Sequence, residues 1–203
     1  MRIGFIGAGK VGASIGKYIA VGYEGRRDSN KITIAGYYSR SQESAAWAAA
    51  FTQSNCYDTL EALVKASDIL FLTVPDGIIK NIWDKLSSMP ITGKIICHTS
   101  GSLSSTIFSG IESKEAFGYS IHPLYAISSR QDSYKELNKA VFTIEGDTRY
   151  MDKICALFEN LGNKVVSIDA SVKTKYHCAA SMVSNEMVAL CHIGQEMLCQ
   201  CGF

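Results

Sequence analysis

Met1-Arg2-Ile3-Gly4-Phe5-Ile6-Gly7-Ala8-Gly9-Lys10-Val11-Gly12 is the stretch that sets the fold class. An apolar run with strand character enters a G-x-G-x-x-G turn, and residues 10–21 then repeat apolar positions at helical spacing. The pattern is weak as a string and strong in this context, a strand that breaks at glycines and opens an amphipathic helix. Gly7 permits the tight turn, Gly9 lets the backbone approach a pyrophosphate, and Gly12 lets helix and strand pack closely. With Ala8, Lys10 and Val11 these glycines form a candidate nucleotide loop, the anion resting on the helix N-terminus.

Outward from this unit, short apolar runs alternate with helical patterns. Strands are expected at 32–38, 68–74, 94–98, 116–121, 140–144 and 164–168, with helices at 41–51, 59–66 and 77–86, the last capped by Asp76. Pro75 and Pro123 fall just after strands and Pro90 between elements, so no proline interrupts an expected strand. Such alternation predicts an α/β fold of Rossmann type, a doubly wound and mostly parallel sheet with helices on both faces. It accounts for residues 1–168 as a dinucleotide-binding domain.

From residue 170 the pattern changes. Val172, Tyr176, Ala179, Val183, Met187, Leu190, Gly194, Met197 and Cys201 recur every three or four residues, predicting one helix of about 45 Å that is apolar over much of its girth. Residues 169–203 therefore read as the first helix of an all-α dimerisation domain. The sequence stops at Gly202-Phe203, where a second helix would be needed to cover the first. Either the chain ends early or another subunit supplies the missing surface, and a homodimer through this helix is the expectation.

Composition narrows the function. Among 203 residues, 20 Lys+Arg against 19 Asp+Glu give a net charge of +1 with no basic block, which argues against a nucleic-acid partner. The seven cysteines include no C-x-x-C pair and no zinc-like spacing, so no metal site is expected and reduced thiols fit a cytoplasmic protein. Neither a secretory leader nor a stretch of roughly 18 apolar residues is visible, so no membrane partner is expected. A small-molecule substrate remains.

Cofactor choice is read at the end of the second strand. An Asp or Glu there would hold the ribose 2′-hydroxyl of NAD, and Tyr37-Tyr38-Ser39-Arg40-Ser41 has none. Ser39, Arg40 and Ser41 instead offer a guanidinium and hydroxyls to a 2′-phosphate, so NADP is predicted over NAD. The bland alternative is a solvated Arg40 and no discrimination.

The whole chain resembles the Rossmann branch of prephenate dehydrogenase, pyrroline-5-carboxylate reductase, the β-hydroxyacid dehydrogenases and coenzyme-F420-dependent NADP reductase. It is most similar to a bacterial oxidoreductase-like family that joins a Rossmann-like domain to a helical domain of unknown function. The carrying stretches are GFIGAGKVG (4–12), LFLTVPDGII (70–79), CHTSGSLSS (97–105), GYSIHPLYAIS (118–128) and KYHCAASMVSNEMVAL (175–190). The resemblance implies a nucleotide on the sheet and a long helix leading into a domain that dimerises.

Ligands of open parallel sheets lie outside the carboxyl ends of the strands. Val74-Pro75-Asp76 should pass the ribose and pyrophosphate, and Thr99 with Ser100, Gly101 and Ser102 should let a ring approach. His122-Pro123 resembles the H-P-M segment of prephenate dehydrogenases, which implies His122 as acid/base with Ser100 or Ser102 as its partner. An imidazole suits that task because its ordinary pKa is near the operating pH. A loop histidine bonding the backbone is the alternative.

On the long helix, Lys173, His177, Ser181, Ser184 and His192 share about 100° of one face, with Asn185 at its margin. By resemblance to β-hydroxyacid dehydrogenases, His177 and Asn185 would face nicotinamide and substrate. Those enzymes follow a catalytic Lys four residues later by Asn, whereas Lys173 is followed by His177. Polar bonding across a dimer interface would explain the stripe equally well. Three functions stay open: an NADP-dependent oxidoreductase acting on a hydroxy acid, carbonyl or imine; an NADP-binding sensor or assembly module without turnover; and an F420-dependent NADP reductase-like enzyme.

Overall fold

The computed structural model describes residues 1–25 and 31–203. In chain order the elements are β1 (Arg2–Ile6), α1 (Lys10–Gly22), β2 (Thr33–Tyr38), α2 (Gln42–Thr52), β3 (Asn55–Cys56), α3 (Leu60–Ala66), β4 (Ile69–Leu72), α4 (Asp76–Leu86), β5 (Ile95–His98), β6 (Phe117–Leu124), β7 (Val141–Gly146), α5 (Met151–Glu159), β8 (Lys164–Ser167), α6 (Lys173–Ser181) and α7 (Met187–Gln200). Among the described residues the eight strands form one sheet in the order β3-β2-β1-β4-β5-β6-β7-β8. Every pair is parallel except β6 with β7. The expected Rossmann-type, mostly parallel sheet is what the chain forms.

Alternation along each strand divides the core between two layers. On one face Phe5 stacks between Tyr37 and Phe71, at centroid distances of 5.1 and 5.4 Å, under Ile15 and Ile19 of α1. The same layer continues to Phe142 of β7, stacked 3.9 Å from Phe158 of α5. On the other face Leu70, Leu72 and Ile96 pack with Trp83 and Leu86 of α4, and the Trp83 indole donates to the Ser109 carbonyl at 3.2 Å.

Four local expectations change. The short edge strand β3 lacks any apolar run and was not legible. Pro123 lies inside β6 rather than after it: β6 leaves β5 at Ser120, which pairs with His98, and runs on beside β7 alone. A proline is tolerated on a stretch paired along one side only. Asp76 is not the cap of α4; Pro75 holds that position and Asp76 sits in the first turn, its carboxylate engaged by Ser100 and Ser102. Ser41 is likewise the N-cap of α2, not a helical residue, and its hydroxyl accepts from the Ser44 N–H at 3.2 Å.

The long C-terminal segment is helical throughout and is not one α-helix. A π-helical segment, Met182–Glu186, joins α6 to α7. A π turn takes more residues per turn, so faces counted at 100° per residue do not carry across it. The stripe from Lys173 to His192 therefore breaks. Lys173 is 1% exposed against the sheet, whereas Val183 and Leu190 are 71% and 67% exposed.

Asn163, in the turn before β8, ties the sheet's far end together. Its buried amide donates to the Leu137 and Ala140 carbonyls at 2.7 and 3.1 Å and accepts from the Tyr18 hydroxyl at 2.8 Å. Asn163→Ala strands these groups, and unfolding in urea should show a loss of about 2–4 kcal/mol; a loss under about 0.5 kcal/mol would contradict the assigned role.

Candidate functional site

The glycine turn folds as a cradle. Gly7 adopts φ +105° and its N–H donates to the Tyr38 carbonyl at 2.8 Å, pinning the turn to β2. A methyl group on Gly12 would collide with the Gly7 carbonyl and the Thr73 hydroxyl, while one on Gly9 would meet nothing within 4 Å. Thr73 Oγ1 donates to the Gly7 carbonyl at 2.8 Å, a clamp that the sequence did not suggest. Gly9 caps α1 with no side-chain hydrogen bond, which leaves the first N–H groups of α1 facing open space beside Ala8, Lys10 and Val11. A cradle of this kind at a helix N-terminus fits a pyrophosphate.

Register carries this edge across the sheet. Ile6 pairs with Leu72, Leu72 with His98 and His98 with Ser120, so β1, β4, β5 and β6 reach one level together. At about 4.8 Å per strand, the cradle and His122 stand about 15 Å apart along that edge. Beyond β2, Ser39 is partly buried and Arg40 is exposed. Arg130, which the sequence reading passed over, adds a second guanidinium near the start of α2. It lies 3.9 Å over the Trp47 ring and donates to the Ser44 carbonyl at 2.7 Å.

Val74 and Pro75 lead into Asp76, whose Oδ2 accepts from Ser100 Oγ at 2.8 Å and Ser102 Oγ at 2.9 Å. Ser100 Oγ in turn accepts from the N–H groups of Ser102 and Leu103 at 3.2 and 3.0 Å. This clasp holds the loop from Thr99 to Leu103 on α4. Ser100 therefore serves Asp76 and its own loop, and the expected bond to His122 is made by another residue. Tyr176 of α6 places its hydroxyl 2.9 Å from His122 Nδ1. Tyr176 had read as one of the apolar positions of the long helix, because a tyrosine's ring and hydroxyl serve opposite roles.

His122 and His177 come together. Their ring centroids are 6.0 Å apart, and both lean on Gly101, where a methyl group would collide with His177 Nδ1 and stand 3.0 Å from His122 Nε2. His177 Nδ1 is buried without a hydrogen-bond partner among the described residues. Asn185 is exposed on the π-helical segment, and its side chain makes no hydrogen bond among the described residues. His98 is structural: it accepts the Ser100 N–H on Nδ1, so Nε2 carries the proton given to the Ser104 carbonyl.

Electrostatics single out the same group. Burial, then the positive charges of Lys173 and His177, hold His122 down to about 4 against the opposing Asp76 carboxylate. Lys173, which the sequence placed in a polar stripe and where the chain departs from the Lys–Asn spacing of β-hydroxyacid dehydrogenases, is buried with its Nζ lacking a hydrogen-bond partner among the described residues. Burial pulls its pKa down to about 8, opposed by Glu145 and Asp76. Glu145 is itself buried, accepting from the Ser105 N–H and hydroxyl at 2.7 Å each.

Because Lys173 sheds its proton in the folded state first, this group raises stability as pH climbs from about 8 toward about 10.5 and weighs against folding below that window. Lys173→Met should unfold about 1–3 kcal/mol later than the natural protein at pH 7, the gap closing by about pH 10.5. A gap independent of pH would contradict a buried ammonium without a hydrogen-bond partner.

Two family models match the chain. Residues 2–100 match the one described as NADP oxidoreductase, coenzyme F420-dependent, and residues 140–203 match the domain of unknown function DUF2520. No curated protein matches. Among solved structures, protein TM1727 of Thermotoga maritima is 25% identical with a TM-score of 0.71, over 99% of this chain and 70% of that one. BF3122 of Bacteroides fragilis, a candidate NADP oxidoreductase, is 20% identical at TM-score 0.76, over 100% and 73%. Plasmodium falciparum pyrroline carboxylate reductase with NADP bound is 16% identical at TM-score 0.65, over 100% and 69%.

Proposed function

For a chain that joins an F420-dependent-type NADP oxidoreductase domain to a DUF2520 domain, we propose an NADP-dependent oxidoreductase of a small polar substrate, a hydroxy acid, carbonyl or imine. The observation that carries this reading is the convergence of His122 and His177 on Gly101, at the sheet edge that also bears the glycine cradle. Residues 1–168 hold the nucleotide and 169–203 supply the wall above it.

When bound, the nicotinamide supplies the hydride chemistry. The chain positions and manages protons. Gly7 to Gly12 and the first N–H groups of α1 hold the pyrophosphate, Ser39, Arg40 and Ser41 the 2′-phosphate, and Val74, Pro75, Asp76 and Thr99 the ribose side. Gly101, with no side chain, lets the two imidazoles close over the loop. Neutral at physiological pH, His122 accepts or returns the substrate's proton at Nε2, with His177 beside it. Ser100 acts by position, through its clasp on Asp76, and Asn185 belongs with the exposed helix face rather than the proton site.

His122→Ala should cut NADPH oxidation about 10²–10⁴-fold on whichever member of a carbonyl and imine panel is turned over, with NADPH affinity kept. Unchanged turnover would remove His122 from the role. Arg40→Ala should weaken NADPH binding about 10–100-fold and leave NADH binding unchanged; an equal effect on both would end the preference for NADP. A second reading draws on the description of the matched family, a deazaflavin as redox partner, so the panel includes oxidised F420 as hydride acceptor. Binding of NADPH with no turnover anywhere would favour a sensor or assembly module.

The helix face that leaves the sheet supports a homodimer. Val183, Val188 and Leu190 are more than two-thirds exposed, with Met182, Met187, Ile193, Met197 and Leu198 beside them. An apolar face of this extent marks an interface. Sedimentation at micromolar concentration should give twice the chain mass, and a stable monomer would refute the dimer.

A further inference from the structure

Two peptides flank Gly7, and each is held by one hydrogen bond. The Gly7 N–H donates to the Tyr38 carbonyl at 2.8 Å, and the Gly7 carbonyl accepts from Thr73 Oγ1 at 2.8 Å. The direction of the second bond is fixed, because a carbonyl oxygen carries no hydrogen and can only accept. A second carbonyl competes for the Thr73 proton. That of Ile6 lies farther from the hydroxyl, at 3.4 Å, and already accepts the Thr73 N–H at 2.9 Å. The hydroxyl therefore serves Gly7, and among the described residues no other donor reaches that carbonyl.

Where this carbonyl points decides what the turn can bind. A methyl group on Gly12 would stand 2.4 Å from both the Gly7 oxygen and Thr73 Oγ1, so the carbonyl is folded under the first turn of α1. On Gly9 the same group would meet nothing within 4 Å, so the open side of the turn lies away from that oxygen. Gly7, at φ +105°, has no side chain to resist rotation of the peptide that follows it. Freed from Thr73, that peptide can swing its oxygen to the open side, where water solvates it. The oxygen would then carry partial negative charge into the space offered to an anion. We propose that Thr73 is a positioning residue of the cofactor site, its hydroxyl keeping the Gly7 carbonyl under α1 and leaving the open side to N–H groups.

The proposal rests on the nucleotide reading given above and adds which ligands feel the residue. A pyrophosphate needs the carbonyl turned under α1. Losing one hydrogen bond of ordinary strength leaves about a tenth of the molecules in that state, and apparent affinity falls by the same factor, about tenfold. The penalty follows the pyrophosphate and not the 2′-phosphate, so NADPH and NADH are weakened alike. That separates Thr73 from Arg40, whose loss is expected to weaken NADPH alone. It also separates a positioning role from a packing role, because serine keeps the donor and valine keeps the shape.

The test is equilibrium binding to the full chain and needs no turnover. ADP-ribose carries the pyrophosphate without a 2′-phosphate, and adenosine 2′-monophosphate carries the 2′-phosphate without a pyrophosphate. Thr73→Val should weaken ADP-ribose, NADPH and NADH about tenfold each and leave adenosine 2′-monophosphate within about twofold. Thr73→Ser should bring all three back to within about threefold of the natural protein. Thr73→Ala, which removes the donor without the bulk of valine, should repeat the valine pattern, so the result does not hang on one variant folding. The Gly7 carbonyl ¹³C resonance should move in Thr73→Val and return in Thr73→Ser. ADP-ribose bound equally by the natural protein and Thr73→Val overturns the inference. So does an equal loss of adenosine 2′-monophosphate, or a loss that Thr73→Ser leaves in place. A natural protein that fails to bind ADP-ribose overturns the nucleotide reading and this inference with it, whereas the first three results strike the role of Thr73 alone.

Discussion

The parallel register that brings Ile6, Leu72, His98 and Ser120 to one level is the constraint on which the rest of the molecule depends. Parallel strands send all their carboxyl ends to the same edge, so residues far apart in sequence become neighbours there without any attraction between them. The glycine cradle, the Asp76 clasp, Gly101 and His122 are successive occupants of that edge. A one-residue slip of β6 would turn His122 into the layer occupied by Ile121 and Tyr119 and bring an apolar side chain to the site.

Above that edge, polar groups are buried where α6 lies on the sheet. His98, Glu145 and Ser100 satisfy their hydrogen bonds within loops and strands, whereas Lys173 Nζ and His177 Nδ1 do not. Buried polar groups are nearly always paired, and leaving one without a hydrogen bond costs about 1–3 kcal/mol, more for a charged group. Stability is given up here in the place where chemistry is proposed, and the apolar layers on both faces offset it.

Much of the fold could be read from local pattern. The strand entering G-x-G-x-x-G, the alternation of apolar runs with helices, and the long amphipathic segment all depend on residues within one or two turns of each other. The failures share a cause. β3 is held by its neighbour β2 rather than by apolar residues of its own, and β6 runs past Pro123 because β7 pairs with it. Asp76 looked like a cap because Asp before a helix commonly is one, until Ser100 and Ser102, 24 and 26 residues away, engaged its carboxylate. The long helix lost its regular face count at Met182–Glu186, where a π turn leaves no mark in hydrophobic spacing.

The candidate site divides along the same line. Glycine geometry and the absence of an acidic residue after Tyr38 are local matters of backbone freedom and charge, legible in the bare string of residues, and so is the suspicion of His122. The choice of Tyr176 over Ser100 as its partner was not, nor were the closeness of His177 and the burial of Lys173. Hydrogen bonds and desolvation depend on distances between segments more than fifty residues apart, and packing alone sets those distances.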